Sequence, residues 1–248
     1  MYEAEDTHWW YRGLRGVMFE LLGLHRAGRH SGQHSLKILD AGCGTGGTLQ
    51  ALANAGFTSI EGFDINEPAL YFCEARGLKN VRLGSITEVP FSSNNFDIVI
   101  SSDVLNDAGT SNEARALQEL YRVLKPGGRL FLNLPAFSFL RSEHDRATDV
   151  ARRYTRHEIS RKLVATGFII RRATYWNMLL FPIVLMVKLV RRESEEDLKN
   201  PARSDINLPP SPINATLSFI LWLEHTLLRF IPLPVGSSVA VVAVKPRR

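Results

Sequence analysis

Residues 37–47, Lys-Ile-Leu-Asp-Ala-Gly-Cys-Gly-Thr-Gly-Gly, hold the chain's densest chemical information. A short apolar strand ends at Asp40, and the backbone then turns through Gly42, Gly44 and Gly46 before a helix. Glycines so spaced let main chain approach a ligand where a Cβ would collide, and they permit positive φ. Such a loop is a bed for a nucleotide-bearing cofactor; a plain tight turn is its blander use. Read as Gly42-x-Gly44-x-x-Gly47, it satisfies the dinucleotide fingerprint, which calls for an acidic residue further along on the ribose. Asp64 stands at about that spacing, after a second apolar strand over 59–63. A carboxylate there accepts from both ribose hydroxyls, or else merely caps a turn.

The surrounding elements have to hold these groups at one edge of a sheet. Strand 81–83 leads into Gly84-Ser85-Ile86, where an adenine ring would lie. Strand 96–101 runs into Ser102-Asp103-Val104-Leu105, a helix follows over 112–124, and Lys125-Pro126-Gly127-Gly128 closes it before a fifth strand over 129–134. Residues 169–175 and 239–244 read as strands six and seven. Alternating strands and helices predict an α/β fold, a mostly parallel sheet with helices on both faces.

Read instead as Asp40-x-Gly42-x-Gly44-x-Gly46, the loop resembles that of class I S-adenosylmethionine (SAM) methyltransferases. So do Leu39-Asp40-Ala41-Gly42-Cys43-Gly44-Thr45-Gly46 as a whole, Asp64, Phe96-Asp97-Ile98-Val99 and the run from Arg122 to Gly128, in the family's order over 36–135. That combination favours SAM; an enzyme of NAD would ignore the product, S-adenosylhomocysteine (SAH). The resemblance implies a Rossmann-like seven-stranded sheet with strand seven antiparallel. It also implies contacts to SAM from Gly42, Cys43 and Gly44 on the methionine part, with Asp40 near its ammonium. Asp64 and Ile65 would hold the ribose, Ser85 and Ile86 the adenine, and Ser101 lies at the end of strand four. Ser85 departs from the Asp that relatives often carry, which weakens that contact. A narrower bacterial subgroup, of envelope polysaccharide or specialised metabolism, shares His8-Trp9-Trp10-Tyr11-Arg12-Gly13, Ser142-Glu143-His144-Asp145 and Arg152-Arg153-Tyr154.

The N-terminal stretch reads as a helix over 7–24, capped by Asp6 or Thr7, with Trp10, Leu14, Val17 and Leu21 on one apolar stripe. Its aromatic residues either pack on the sheet or form a flap, where Arg12 would pair with the cofactor carboxylate and Tyr11 would face it. Relatives often place a His shortly after strand four; here Asn106 and Asp107 stand instead. Proton removal then falls to Asp107, or to His144 and Asp145, with His144 preferred among the histidines because it titrates near neutrality. Asp145 alternatively pins its loop through Arg152 or Arg153, and Tyr154 is a candidate partner for a polar substrate group. A neutral amine would need no base.

At 248 residues, 45% hydrophobic, the chain suffices for one core. It divides into a helical cap (1–35), a Rossmann-like core (36–175 and 236–248) and an insertion (176–235). The insertion carries apolar stretches at 176–190 and 213–231, too short or too polar to span a membrane. They predict two helices that add core, form a dimer face, line a lipophilic tunnel or lie on a membrane surface. Net charge is +5, and residues 141–192 hold ten Arg and two Lys against four acidic residues. That excess marks a solvated face, an anionic substrate or an acidic membrane; without a recognisable module, nucleic acid is disfavoured. The acidic N-terminus and two unframed cysteines predict a cytoplasmic protein with free thiols, at most peripheral to the inner face of the membrane, and a monomer or homodimer. No Cys/His spacing predicts a metal. The expected function is methyl transfer, to oxygen in preference, on a lipophilic or lipid-linked small molecule. N- or C-methylation in specialised metabolism, and a catalytically inactive SAM-binding partner subunit, are the competing readings.

Overall fold

The computed structural model describes residues 2–24, 35–106, 112–141, 145, 150–190 and 208–247. Two helices open the chain, α1 (Tyr2–Thr7) and α2 (Trp9–Leu22). The core then runs β1 (Ile38–Ala41), α3 (Gly47–Asn54), β2 (Ile60–Asp64), α4 (Glu67–Ala75), β3 (Val81–Leu83), β4 (Phe96–Ser102), α5 (Glu113–Val123) and β5 (Leu124–Pro135). After a short 3-10 turn come α6 (Arg156–Thr166), β6 (Ile169–Trp176), α7 (Phe181–Val190), α8 (Ser211–Leu227) and β7 (Ser238–Val244). The strands form one sheet in the order β3-β2-β1-β4-β5-β7-β6. β1 to β5 pair in parallel, and β7 inserts antiparallel between β5 and β6. This is the Rossmann-like α/β sheet expected.

Alternation along the strands builds a core on each face. Leu39, Val99, Leu130 and Val241 meet Leu117 and Leu120 of α5 and Ile159 and Leu163 of α6. Ile38, Ile98, Ile100, Phe131 and Val242 meet Val17, Met18 and Leu22 of α2 and Leu221 of α8. The insertion therefore completes one face of the sheet through α8, which lies against α2. Gly13 and Gly16 allow that approach: a Cβ on Gly16 would stand 2.6 Å from His225 Nδ1.

Three local expectations need correction. The N-terminal stretch is two helices, because His8 adopts an extended conformation (φ −68°, ψ 134°) and caps α2 with its own Nδ1, which accepts from Trp10 N at 3.3 Å. Neither Asp6 nor Thr7 is the cap of α2. Lys125-Pro126-Gly127-Gly128 does not end before β5 but lies within it, across a register shift against β4, with Gly127 N donating to Lys245 O at 2.8 Å. Trp176 belongs to β6 and is fully buried, so the helical insertion starts beyond it.

The neck of the insertion is held by Glu224, which is 1% exposed. Its carboxylate accepts from Asn177 N and, at 2.8 Å, from Leu179 N. Truncation to Ala would orphan both buried donors, and unsatisfied buried groups cost about 1–3 kcal/mol each. Glu224→Ala is therefore expected to lose on the order of 3 kcal/mol in urea unfolding, and Glu224→Gln, which still accepts, less. Equal stability of Glu224→Ala and wild type would remove Glu224 from this role.

Candidate active site at the switch point of the sheet

Strand order reverses between β1 and β4, and ligands of open α/β sheets bind in the crevice beyond the carboxyl ends of such strands. The glycine loop leaves β1 there. Gly42 has φ +83°, and a Cβ on it would stand 2.3 Å from Val104 Cγ2, so the loop lies directly on the segment leaving β4. Gly42 N and Cys43 N donate to Phe63 O at 2.9 and 3.0 Å, tying the loop to the end of β2. Asp64, the last residue of β2, accepts from Gly44 N at 2.7 Å and from Asn66 N at 2.9 Å. Each carboxylate oxygen has capacity for a further donor. Ile65 beside it is 71% exposed, an apolar surface at the end of β2.

Asp40 is buried within β1, and its carboxyl is pushed well above the usual range by burial and then by the charges of Glu5 and Asp64. A cationic ligand would relieve that strain on its ionised form. Cys43 and Cys73 are both buried free thiols; their mutual hydrogen bond, then burial, pushes Cys43 up, and the same bond pulls Cys73 down. Ser85 Oγ lies 2.9 Å from Thr87 Oγ1 and accepts from Thr87 N, so it shapes its own turn, while Ile86 is buried beneath it. Ser101 Oγ is buried and has no hydrogen-bond partner.

The N-terminal helices reach this edge. The Tyr11 hydroxyl is pushed up to about 12, first by burial and then by the charges of Glu5 and Asp103. Arg12 is exposed. Arg15 turns inward instead, donating to Glu5 O at 2.6 Å, with burial lowering its pKa.

Beyond β5, Asp145 is 2% exposed and takes Arg153 in a bidentate pair, both contacts 2.7 Å; Arg153 also donates to Ala136 O. Tyr154 is buried, and its hydroxyl donates to Leu105 O at 3.0 Å. Both side chains thus fasten residues 150–154 to the ends of β4 and β5. His144 and Asp107 lie outside the described residues.

A group given no role by sequence reasoning stands at the centre. Asp103 follows β4 with φ +55°, and its carboxylate accepts from Asn133 Nδ2 at 3.0 Å. Asn133, fully buried on β5, accepts from Trp176 Nε1 at 2.7 Å through its other amide atom. Burial pushes Asp103 up to about 7, against the pull of Asn133 and the Arg153 charge. The readable signal was an acidic residue at the end of a strand at the switch point. Glu5, whose carboxylate accepts from Gly47 N at 2.8 Å, carried no local signal. Among the described residues no cluster of His, Cys, Asp and Glu could hold a metal.

Comparison with known proteins agrees with this geometry. Residues 39–132 match a family described as methyltransferase domain. The chain is 36% identical over 98 residues to a 24-methylenesterol C-methyltransferase of Arabidopsis thaliana, covering 37% of this chain and 27% of that protein. It is 29% identical over 147 residues to phthiotriol/phenolphthiotriol dimycocerosates methyltransferase 1 of Mycobacterium ulcerans, covering 56% and 53%. The chain spans about half or less of the length of such curated relatives. Geranyl diphosphate C-methyltransferase from Streptomyces coelicolor superposes with a TM-score of 0.58 at 16% identity, over 91% of this chain and 79% of that one. Fold and matched segment define the class: residues 39–132 form a methyltransferase domain of the class I, SAM-dependent kind. SAM is the cofactor of that class.

Proposed function

We propose that the protein transfers a methyl group from SAM to a hydroxyl of a lipophilic or lipid-linked small molecule. The observation that carries this reading is the meeting of the glycine loop, Asp64 and the perturbed carboxyl of Asp103 at one switch point. SAM supplies an activated methyl group, so the protein's part is to orient, desolvate and, for a hydroxyl nucleophile, accept a proton. Asp40 and the loop backbone hold the methionine part, and Asp64 accepts from the ribose. With SAM and a hydroxyl substrate bound, Asp103 would accept the proton that the hydroxyl gives up on methylation. A carboxyl titrating near 7 suits that task at neutral pH.

The lipophilic part is supported by the insertion. Ile183 and Met186 of α7 and Phe219 and Trp222 of α8 are more than half exposed. No helix of the described residues is long and apolar enough to cross a membrane. Relatives named for sterol and dimycocerosate substrates point the same way.

The test is transfer of radiolabelled methyl from SAM into an extract of the source organism, partitioned between organic, aqueous and macromolecular phases. Boiled enzyme and Asp64→Ala are the controls. Enzyme-dependent label in the organic phase is expected. Label in the aqueous phase alone would overturn the lipophilic substrate, and SAH binding with no transfer anywhere would favour an inactive partner subunit.

A further inference from the structure

The start of α3 is where a dinucleotide-binding protein would seat a pyrophosphate, on free backbone N–H groups at the positive end of the helix. Here that seat is filled by the protein itself. Glu5, on α1 and 7% exposed, accepts from Gly47 N at 2.8 Å and from Thr45 N at 3.4 Å. A Cβ on Gly47 would stand 2.6 Å from Glu5 Oε2, so the glycine that completes the dinucleotide fingerprint makes room for a carboxylate of this chain. Arg76 strengthens the seat. It stands 3.8 Å from Glu5, pairs with Asp6 at 2.8 Å, and donates to Thr45 O and Tyr2 O, strapping α1 onto the loop.

We infer that Glu5 is a specificity-determining residue of the cofactor bed, excluding phosphate-bearing nucleotides and admitting a cationic one. With Glu5 in place the loop is flanked by the carboxylates of Glu5 and Asp64, whose charges add to burial in raising the Asp40 carboxyl. That field repels a pyrophosphate and attracts the ammonium and sulfonium of SAM. Without Glu5, two N–H groups and the Arg76 guanidinium remain, a set that suits phosphate oxygens. The inference rests on reading the loop as a SAM bed.

Calorimetric titration of full-length wild type, Glu5→Ala and Glu5→Gln with SAH, inorganic pyrophosphate and NAD tests it. Glu5→Ala is expected to bind SAH roughly tenfold more weakly and pyrophosphate at least about tenfold more tightly than wild type, the scale of one charged hydrogen bond. Glu5→Gln still fills the seat and should continue to reject pyrophosphate and NAD. Gly47→Ala, which crowds the carboxylate, provides a second route should Glu5→Ala fold poorly. On its own it should weaken SAH binding, and where Glu5→Ala folds, that effect should largely vanish in the double variant, since the two residues act through one contact. Unchanged SAH and pyrophosphate affinities in Glu5→Ala, or additive effects in the double variant, would overturn the assignment. Wild type that binds neither SAM nor SAH would instead overturn the methyltransferase reading, and the pyrophosphate comparison would still judge Glu5.

Discussion

Replacement of Asp103 by Asn is expected to lower kcat by about 10²–10⁴-fold, the usual share of a positioned general base, with SAH affinity unchanged. Asn133 Nδ2 can still meet the amide oxygen, so the geometry at the end of β4 should survive while proton acceptance is lost. In wild type, kcat/KM should climb with pH and level off above about 7, the value to which burial pushes this carboxyl. The variant should lose that limb. The groups that act on Asp103 are Asn133, by its hydrogen bond, and the charge of the Arg153 guanidinium (itself paired with Asp145), and Asp103 in turn acts on the Tyr11 hydroxyl. Stability should respond in the opposite sense to activity. The folded value, about 7, lies above the ordinary 3.8, so between them the native state binds the extra proton. Stability is therefore greatest below the ordinary value and declines as pH rises toward 7, by roughly 4 kcal/mol at most. Asp103→Asn should flatten that decline and melt at higher temperature than wild type at pH 8. Full activity in the variant with an unaltered pH profile would dismiss Asp103 as the base.

Asp64→Ala is expected to weaken SAH binding by about 10²–10³-fold. Hydrogen bonds to a charged group are worth about 1.5–3 kcal/mol each, and two ribose hydroxyls are available to this carboxylate. The loss has a second source, because Asp64 also holds Gly44 N at 2.7 Å and so fixes the glycine loop. Asp64→Asn retains acceptor capacity without charge and should fall between the two. Calorimetry with SAH reads the series directly. Near-equal affinities for Asp64→Ala and wild type would remove Asp64 from the cofactor site.

The parallel sheet and the glycine loop at its edge were legible from residue types because each signal there is local. Apolar runs at 38–41 and 96–102, glycines where φ turns positive and an acid closing β2 need no distant partner to be read. β7 was equally plain as an uninterrupted apolar strand, and its buried position between β5 and β6 explains why no residue of its central run is polar. The break at His8 was not legible, since an imidazole serving as helix cap depends on one side-chain rotamer and on α1 folding back over the loop. Asp103 was visible as a residue but not as a titrating one. Its shift arises from burial, which outweighs the opposing hydrogen bond from Asn133, thirty residues away. Glu5 illustrates the same limit, for its partners lie at Thr45, Gly47 and Arg76. Tyr154 and Asp145 read as chemistry from their types, but their hydrogen bonds give them fastening work.

The frame at the neck of the insertion separates two kinds of evolutionary freedom. Thr174 Oγ1 accepts from Leu233 N, Asn177 Nδ2 donates to Ser237 Oγ, and a Cβ on Gly236 would stand 2.1 Å from Trp176 O, so entry and exit strands are clasped together. Lengthening a loop whose ends are already fixed costs little, about 0.6 kcal/mol per doubling. Trp176 on the core side of the clasp sets the Asn133 amide, and with it Asp103, whatever the head beyond it contains. Exchange of exposed residues between the clasp points, with Leu221 and Glu224 retained, should therefore redirect which molecules are taken, while Asp103 keeps its setting. The insertion is in this sense an interchangeable outer surface on a fixed socket, with exposed Ile183, Met186, Phe219 and Trp222 as its natural units of exchange.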